Sequence, residues 1–322
     1  MLDISLLIKQ DATTSESVIA QLRGDPSFDA LSASESADTA KRDREDDEKL
    51  QAGIDLAVAK GVLPAGLVPA PYHAIDVEGK STDDITEEII SQLPAGEGSV
   101  IVLVGLSGTG KGTTVARLSA QLPKAVTWSN GNVFRSLTLL AVRWCEAQGL
   151  ETFDAALALT PERLASFMSM LSFGCGAGGK WDITIDLGLG VTALVSDIAN
   201  TDLKAPAVGR NIPTVANVTQ GEVVGFVARA TKMMSDSGSN VIIEGREATV
   251  NHIPTPYRFA LVLKDPSVIG FRRAAQRVMA AALKAVQGGG GDSEAAARTA
   301  TPDEIDAAMR VACKSMAEGA KM

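Results

Sequence analysis

The chain has 322 residues, 45% hydrophobic and 21% charged, with a net charge of −9. That balance fits a folded protein and argues against the broadly basic face that nucleic acid or an anionic membrane requires. Aromatic residues make up only 4%, so a core of Ala, Val, Leu and Ile is expected. The length suits one large domain plus an extension, or two domains.

Cys145, Cys175 and Cys313 are far apart, form no CxxC and have no histidine nearby. This argues against a disulfide framework or zinc site, and a reducing compartment is the expectation. No run approaches the roughly 18–20 apolar residues of a membrane helix. The opening "MLDISLLIKQD" carries an acid and no basic n-region, and it is not Arg-rich. It reads as neither a secretory signal nor a presequence. A cytoplasmic location is expected, with an organelle left open.

In chain order, residues 1–65 differ from the rest and read as a polar, partly helical extension. "LSASESADTAKRDREDDEKL" (Leu31–Leu50) reads as a solvated helix or a disordered arm. "GVLPAGLVPAP" (Gly61–Pro71) reads as a linker. "YHAIDVE" predicts a short strand, and "STDDITEEIISQL" a helix capped by Ser81 with acids in its first turn. An apolar strand over Val100–Val104 then leads into "GLSGTGKGT" (Gly105–Thr113) and a helix.

The spacing predicts a long helix over Asn132–Gly149 and another capped by Thr160 with Pro161 first. "CGAGGKWDITIDLGLG" predicts a small β excursion, and "QGEVVGFVARATKMM" a helix. "NVIIEGRE" and "YRFALVLK" read as buried strands. Asp265 and Pro266 open a further helix. Beyond "GGGG" (Gly288–Gly291), a Thr301/Glu304 capping box opens the last one. Strands alternating with helices predict an α/β fold with a doubly wound parallel sheet.

The Gly-x-x-x-x-Gly-Lys spacing after an apolar strand and before an amphipathic helix is that of a phosphate-wrapping loop. Successive backbone N–H groups face the phosphates, and the helix adds its positive end. Gly105, Gly108, Gly110 and Gly112 allow close approach. Lys111 brings a point charge, and Ser107, Thr109, Thr113 and Thr114 complete the loop.

"GLSGTGKGTTVARL" resembles the loop of nucleoside monophosphate kinases, many of which carry Gly-Lys-Gly-Thr. "SNGNVFRSLTLLA" (Ser129–Ala141) resembles the monophosphate segment of cytidylate kinases. "VIIEGREATVNHIPTPYRFALVLKDPSVIGFRR" (Val241–Arg273) resembles that family's Gly-Arg-Asp and lid segments. The likeness runs from about Ser99 to Arg277 and leaves the first 70 residues outside it.

The resemblance implies a kinase-like P-loop domain over residues 66–322, with a small monophosphate-binding insert at about 155–235 and a helical lid. It implies ATP and Mg2+, with Thr113 and Glu244 on the metal side. Lys111, Arg246, Arg272 and Arg273 would surround the transferring phosphoryl group with positive charge. Asn130, Arg135, Arg246 and Glu247 would bind the acceptor, a CMP-like monophosphate or a related small molecule. Trp128 and Phe134 could stack on a base, but read first as core.

The chain departs from that family at Ser129 (an aspartate there) and Phe134 (a tyrosine there). "QGEVVGFV" lacks the family's base-contacting arginine. The lid segment is replaced by a stretch whose one arginine is Arg298. The competing reading is a catalytically weak nucleotide-binding module that docks a protein partner through residues 1–65.

Overall fold

The computed structural model describes residues 2–10, 12–96, 98–176, 178–287 and 300–319. The helices begin with α1 (Ile4–Lys9), α2 (Ala12–Leu22) and α3 (Pro26–Ala59). Then come β1 (His73–Asp76), α4 (Thr82–Ile90), β2 (Val100–Gly105), α5 (Lys111–Gln121), β3 (Ala125–Trp128) and α6 (Gly131–Ala147). The middle holds α7 (Ala155–Ala158), α8 (Pro161–Ser169), β4 (Leu171–Cys175), β5 (Trp181–Asp186), β6 (Thr192–Leu194) and α9 (Val195–Ile198). The chain continues with α10 (Pro206–Asp236), β7 (Asn240–Glu244), α11 (Glu247–Val250), β8 (Tyr257–Val262), α12 (Ser267–Gln287) and α13 (Pro302–Gly319). No helix among the described residues is long and apolar enough to cross a membrane.

Two compact units divide the chain. One comprises Met1–Glu45, Leu106–Thr109 and Val262–Met322; the other comprises Asp46–Gly105 and Gly110–Leu261. Helix α3 runs continuously through the division at residue 45.

The first unit is helical. Leu7, Val18, Leu22, Phe28 and Leu31 from the N-terminal helices share one core with Val278, Met279, Ile305 and Met309 of α12 and α13. Leu31–Leu50, read as a solvated helix or a disordered arm, is helical and mostly exposed, with Leu31, Ser32, Thr39 and Asp43 buried. Asp25 opens α3 by accepting from the Ser27 and Phe28 amides (2.9 and 3.4 Å), with Pro26 at the first position. Gly270 is where α12 meets α3 backbone to backbone: a Cβ there would lie 2.2 Å from the Ser32 carbonyl oxygen.

The second unit is built on a five-stranded sheet ordered β1-β8-β2-β7-β3. The pairings of β2 with β7 and β8, and of β3 with β7, are parallel. Central β2 is buried along its length because both faces are covered. Val100, Val102 and Val104 share a core with α6 and α10 residues such as Leu137, Val223 and Val227. Ile101 and Leu103 alternate to the opposite face and are completely buried. Helix α5, paired with α4, packs along β2, β7 and β3. Helices flanking a parallel sheet are compatible with the expected doubly wound arrangement.

A separate antiparallel sheet, β4-β5-β6, forms the predicted β excursion, with Leu171 opposite Ile185 and Ile185 opposite Ala193. Helix α10 starts earlier than "QGEVV" suggests and contains Pro213. The end of α3 packs on it with almost no spacing: a Cβ on Gly221 would lie 2.3 Å from the Ala57 Cβ.

Candidate functional site

The apolar strand β2 ends at Gly105, the glycine loop follows, and α5 starts at Lys111. Gly105, Gly108 and Gly110 adopt φ of 150°, 89° and 89°, a region that side chains disfavour. Gly108 also sits against Ile269, whose Cγ2 would be 3.2 Å from an added Cβ. The Lys111 ammonium donates to the Gly105 carbonyl at 2.7 Å. The hydroxyls of Thr113 and Thr114 donate to the Gly110 carbonyl at 2.7 and 3.0 Å, and that of Thr109 to Leu106 at 2.9 Å. Lys111 and these hydroxyls therefore brace the loop on its own carbonyls.

Ser107 differs. Its amide donates to Asp43 Oδ2 at 2.8 Å and its hydroxyl donates to Asp43 Oδ1 at 2.7 Å. Asp43 lies on α3 and is 3% exposed.

Strand β7 carries the second set. Its register places Glu244 beside Leu103, and the Gly245 amide donates to the Leu103 carbonyl at 3.3 Å. Glu244, Arg246 and Glu247 thus emerge at the carboxyl end of the sheet, where Gly105 and Lys111 also lie. This is where ligands of open α/β sheets bind. Glu244 and Glu247 are exposed. Arg246 stands at the N-cap of α11, its side chain 20% exposed, with carboxylates of Asp47 at 3.7 Å and Asp46 at 4.0 Å.

Arg258, read as part of an apolar strand, anchors this segment. It is 1% exposed. Its guanidinium donates to the carbonyls of Ile253 and Val250 and to Asn251 Oδ1, at 2.9, 2.8 and 3.0 Å. It also donates to the Tyr72 hydroxyl at 2.9 Å and lies over the Tyr72 ring. Burial pushes the Tyr72 hydroxyl pKa up, against the opposing pull of that arginine. Arg258→Met would strand two buried carbonyls, and a loss of about 3 kcal/mol in urea unfolding is expected.

Two of the residues expected on the acceptor side, Asn130 and Arg135, turn to protein partners. Asn130 Oδ1 accepts from the Trp128 indole at 3.0 Å, and Arg135 donates to the Leu203 carbonyl at 3.1 Å. Trp128 and Phe134 belong to the core, as first read. A half-open pocket of about 140 Å³ has walls that include Trp128, Ser129, Asn132, Phe173, Trp181 and Asp182. Phe173 stacks on Trp181 (5.4 Å, 9°) and meets Trp128 edge-on (5.3 Å, 72°). Asp182 Oδ1 accepts from the Ile183 and Ser196 amides at 2.8 and 3.3 Å. Its Oδ2 is buried without a partner.

Arg272 and Arg273 lie on α12 in the other unit, where Arg272 donates to the Gly108 carbonyl at 3.2 Å. Arg298 and Gly288–Gly291 lie outside the described residues. Among the described residues no group of three or more His, Cys, Asp or Glu could hold a metal. Thr113 and Glu244 would fit Mg2+ only as partial ligands, with phosphate oxygens and water supplying the rest, as that ion commonly requires. The cysteines are free, Cys145 and Cys313 buried and Cys175 exposed. Burial pushes the Cys313 thiol up to about 11.

Sequence reasoning missed Asp43, Asp46, Asp47, Asp182 and Arg258. No family model matches the chain, and neither a curated protein nor a solved structure matches it.

Proposed function

We propose that the protein transfers the γ-phosphoryl group of ATP to a nucleoside monophosphate or a related phosphate-bearing small molecule. The observation that carries this reading is the glycine loop. It leaves the central strand of a parallel sheet, takes three positive-φ glycines and runs into a helix whose first residue is Lys111.

In this reading the loop amides, the α5 N-terminus and Lys111 hold the nucleotide phosphates. Arg246 adds a guanidinium suited to two-point contact with the acceptor's phosphate. Transfer then needs in-line positioning and positive charge around the equatorial oxygens rather than a covalent protein step. Mg2+, when bound, neutralises charge on the β- and γ-phosphates, with Thr113 and Glu244 as its protein-side partners.

The pocket at Ser129 and Asn132 supports a ring-bearing acceptor. Its volume is close to the roughly 150 Å³ of an engineered cavity that admits benzene. Three aromatic side chains, Trp128, Phe173 and Trp181, stand among its walls with the polar Ser129, Asn132 and Asp182.

The test is ADP formation from ATP and Mg2+ with CMP, dCMP, UMP, AMP and GMP in parallel. Turnover with one of them, at least 100-fold above the acceptor-free rate, is expected. ATP binding without turnover on any acceptor would favour the second reading, a weak transferase acting as a binding module. The Asp43–Ser107 contact gives that reading its own support. Absence of ATP binding would end both.

A further inference from the structure

The acidic run "RDREDD" (Arg42–Asp47) reads in sequence as a solvated face. Three of its carboxylates do something else. Asp43 grips both the amide and the hydroxyl of Ser107 in the glycine loop. Asp46 and Asp47 come within 4.0 and 3.7 Å of Arg246. Positions 43, 46 and 47 are spaced i, i+3 and i+4, so they fall on one face of α3.

A carboxylate buried at 3% exposure is costly unless its oxygens are bonded. With the Arg42 guanidinium 3.9 Å from its Oδ1, Asp43 meets part of that need with a loop N–H and a loop O–H. These are the donors that a phosphate oxygen would take at such a loop. Arg246 presents the same case, a cation suited to phosphate that here faces carboxylates. Within one unit Asp43 supplies negative charge to the loop, and within the other Asp46 and Asp47 supply it to Arg246; the sequence assigns both groups to phosphates.

We propose that Asp43, within its unit, is an internal competitor for the nucleotide's phosphates, that Asp46 and Asp47, within theirs, compete for the acceptor's phosphate, and that this conformation is self-inhibited. The inference rests on the reading of the loop as a phosphate site. Phosphate binding would require Asp43 to release Ser107 and the two neighbouring acids to release Arg246. Apparent affinity is then reduced in proportion to the fraction of molecules in which these contacts are open. If the closed arrangement is favoured by 10–100-fold, ATP binds 10–100-fold more weakly than the exposed loop would allow.

The experiment uses the full chain and calorimetric binding of ATP. It compares wild type, Asp43→Ala and the double variant Asp46→Asn/Asp47→Asn, with helix content and melting temperature recorded for each. Asp46 and Asp47 are about half exposed, so the double variant retains its fold even if Asp43→Ala does not. A gain of about 10-fold or more in ATP affinity is expected for Asp43→Ala. The double variant should lower the KM for the acceptor by a comparable factor, or, if no acceptor turns over, tighten binding of inorganic phosphate.

Variants that bind ATP and phosphate as wild type does, or more weakly at unchanged melting temperature, overturn the inference and leave the loop reading standing. A weaker-binding Asp43 variant would mean that the aspartate positions the loop rather than blocking it. Failure of every chain, wild type included, to bind ATP overturns the loop reading and this inference together.

Discussion

Lys111→Ala is expected to lower the rate of ADP formation by about 10²–10³-fold, the usual consequence of removing one pre-positioned charge donor from a transferring group. The side chain is held ready, since its ammonium already rests on the Gly105 carbonyl at the loop's opening. Breaking that brace also loosens the loop, so affinity for ATP should fall along with turnover. Lys111→Arg separates the two effects. It keeps the charge but replaces a compact point donor with a planar fork. It should recover part of the ATP affinity and little of the rate. Steady-state kinetics beside calorimetry reads both, and a Lys111→Ala protein with wild-type turnover would remove the loop from the chemistry.

Deletion of residues 1–25 is expected to unfold the helical unit rather than free an appendage. Leu2, Leu7, Val18 and Leu22 are each at most 3% exposed. Burial of such side chains contributes about 1.5–3 kcal/mol apiece, together roughly 6–12 kcal/mol. That is comparable with the whole stability of a typical domain, about 5–15 kcal/mol. The cut would also bare Val278, Met279, Ile305 and Met309. Aggregation, binding of a hydrophobic dye and lost helical signal are the expected readouts. A soluble truncated chain with a cooperative melt would refute this. Removing the N-terminal segment is therefore a poor way to distinguish an enzyme from a docking protein, and substitutions within α3 serve better.

What the sequence made legible was local. The run Val100–Val104 followed by spaced glycines announced β2, the loop and α5. Ser81, Thr160 and Thr301 marked helix starts that the structure reproduces, with the Thr301 amide and hydroxyl both donating to Glu304. Alternation in "WDITIDL" announced β5. Pro213 obscured the first half of α10, because a proline inside a helix reads as a break.

The contacts that define the site's surroundings are distant in sequence. Asp43 reaches a residue 64 positions away, and its charged neighbours give no local hint of it. Leu7 and Val18 find their core partners in helices near the other end of the chain. Arg258 sits in an apolar strand, and only the carbonyls around it explain a buried guanidinium. The residues of β2 and β7 that the sequence assigns to phosphates were brought to one end of the sheet by strand register. Asn130 and Arg135 were instead taken up by Trp128 and the Leu203 carbonyl.

The distribution of aromatic side chains has an optical consequence. Trp128, Trp144 and Trp181, the chain's three tryptophans, and its two tyrosines, Tyr72 and Tyr257, all belong to the sheet-bearing unit. The helical unit carries phenylalanines, such as Phe28 and Phe271, and is dark above 295 nm excitation. Intrinsic emission thus watches only the unit that holds Lys111 and Arg246. Loss of the helical unit alone therefore lowers the far-ultraviolet helical signal while leaving tryptophan emission unchanged, whereas loss of the sheet-bearing unit, which carries α5, α6 and α10, changes both.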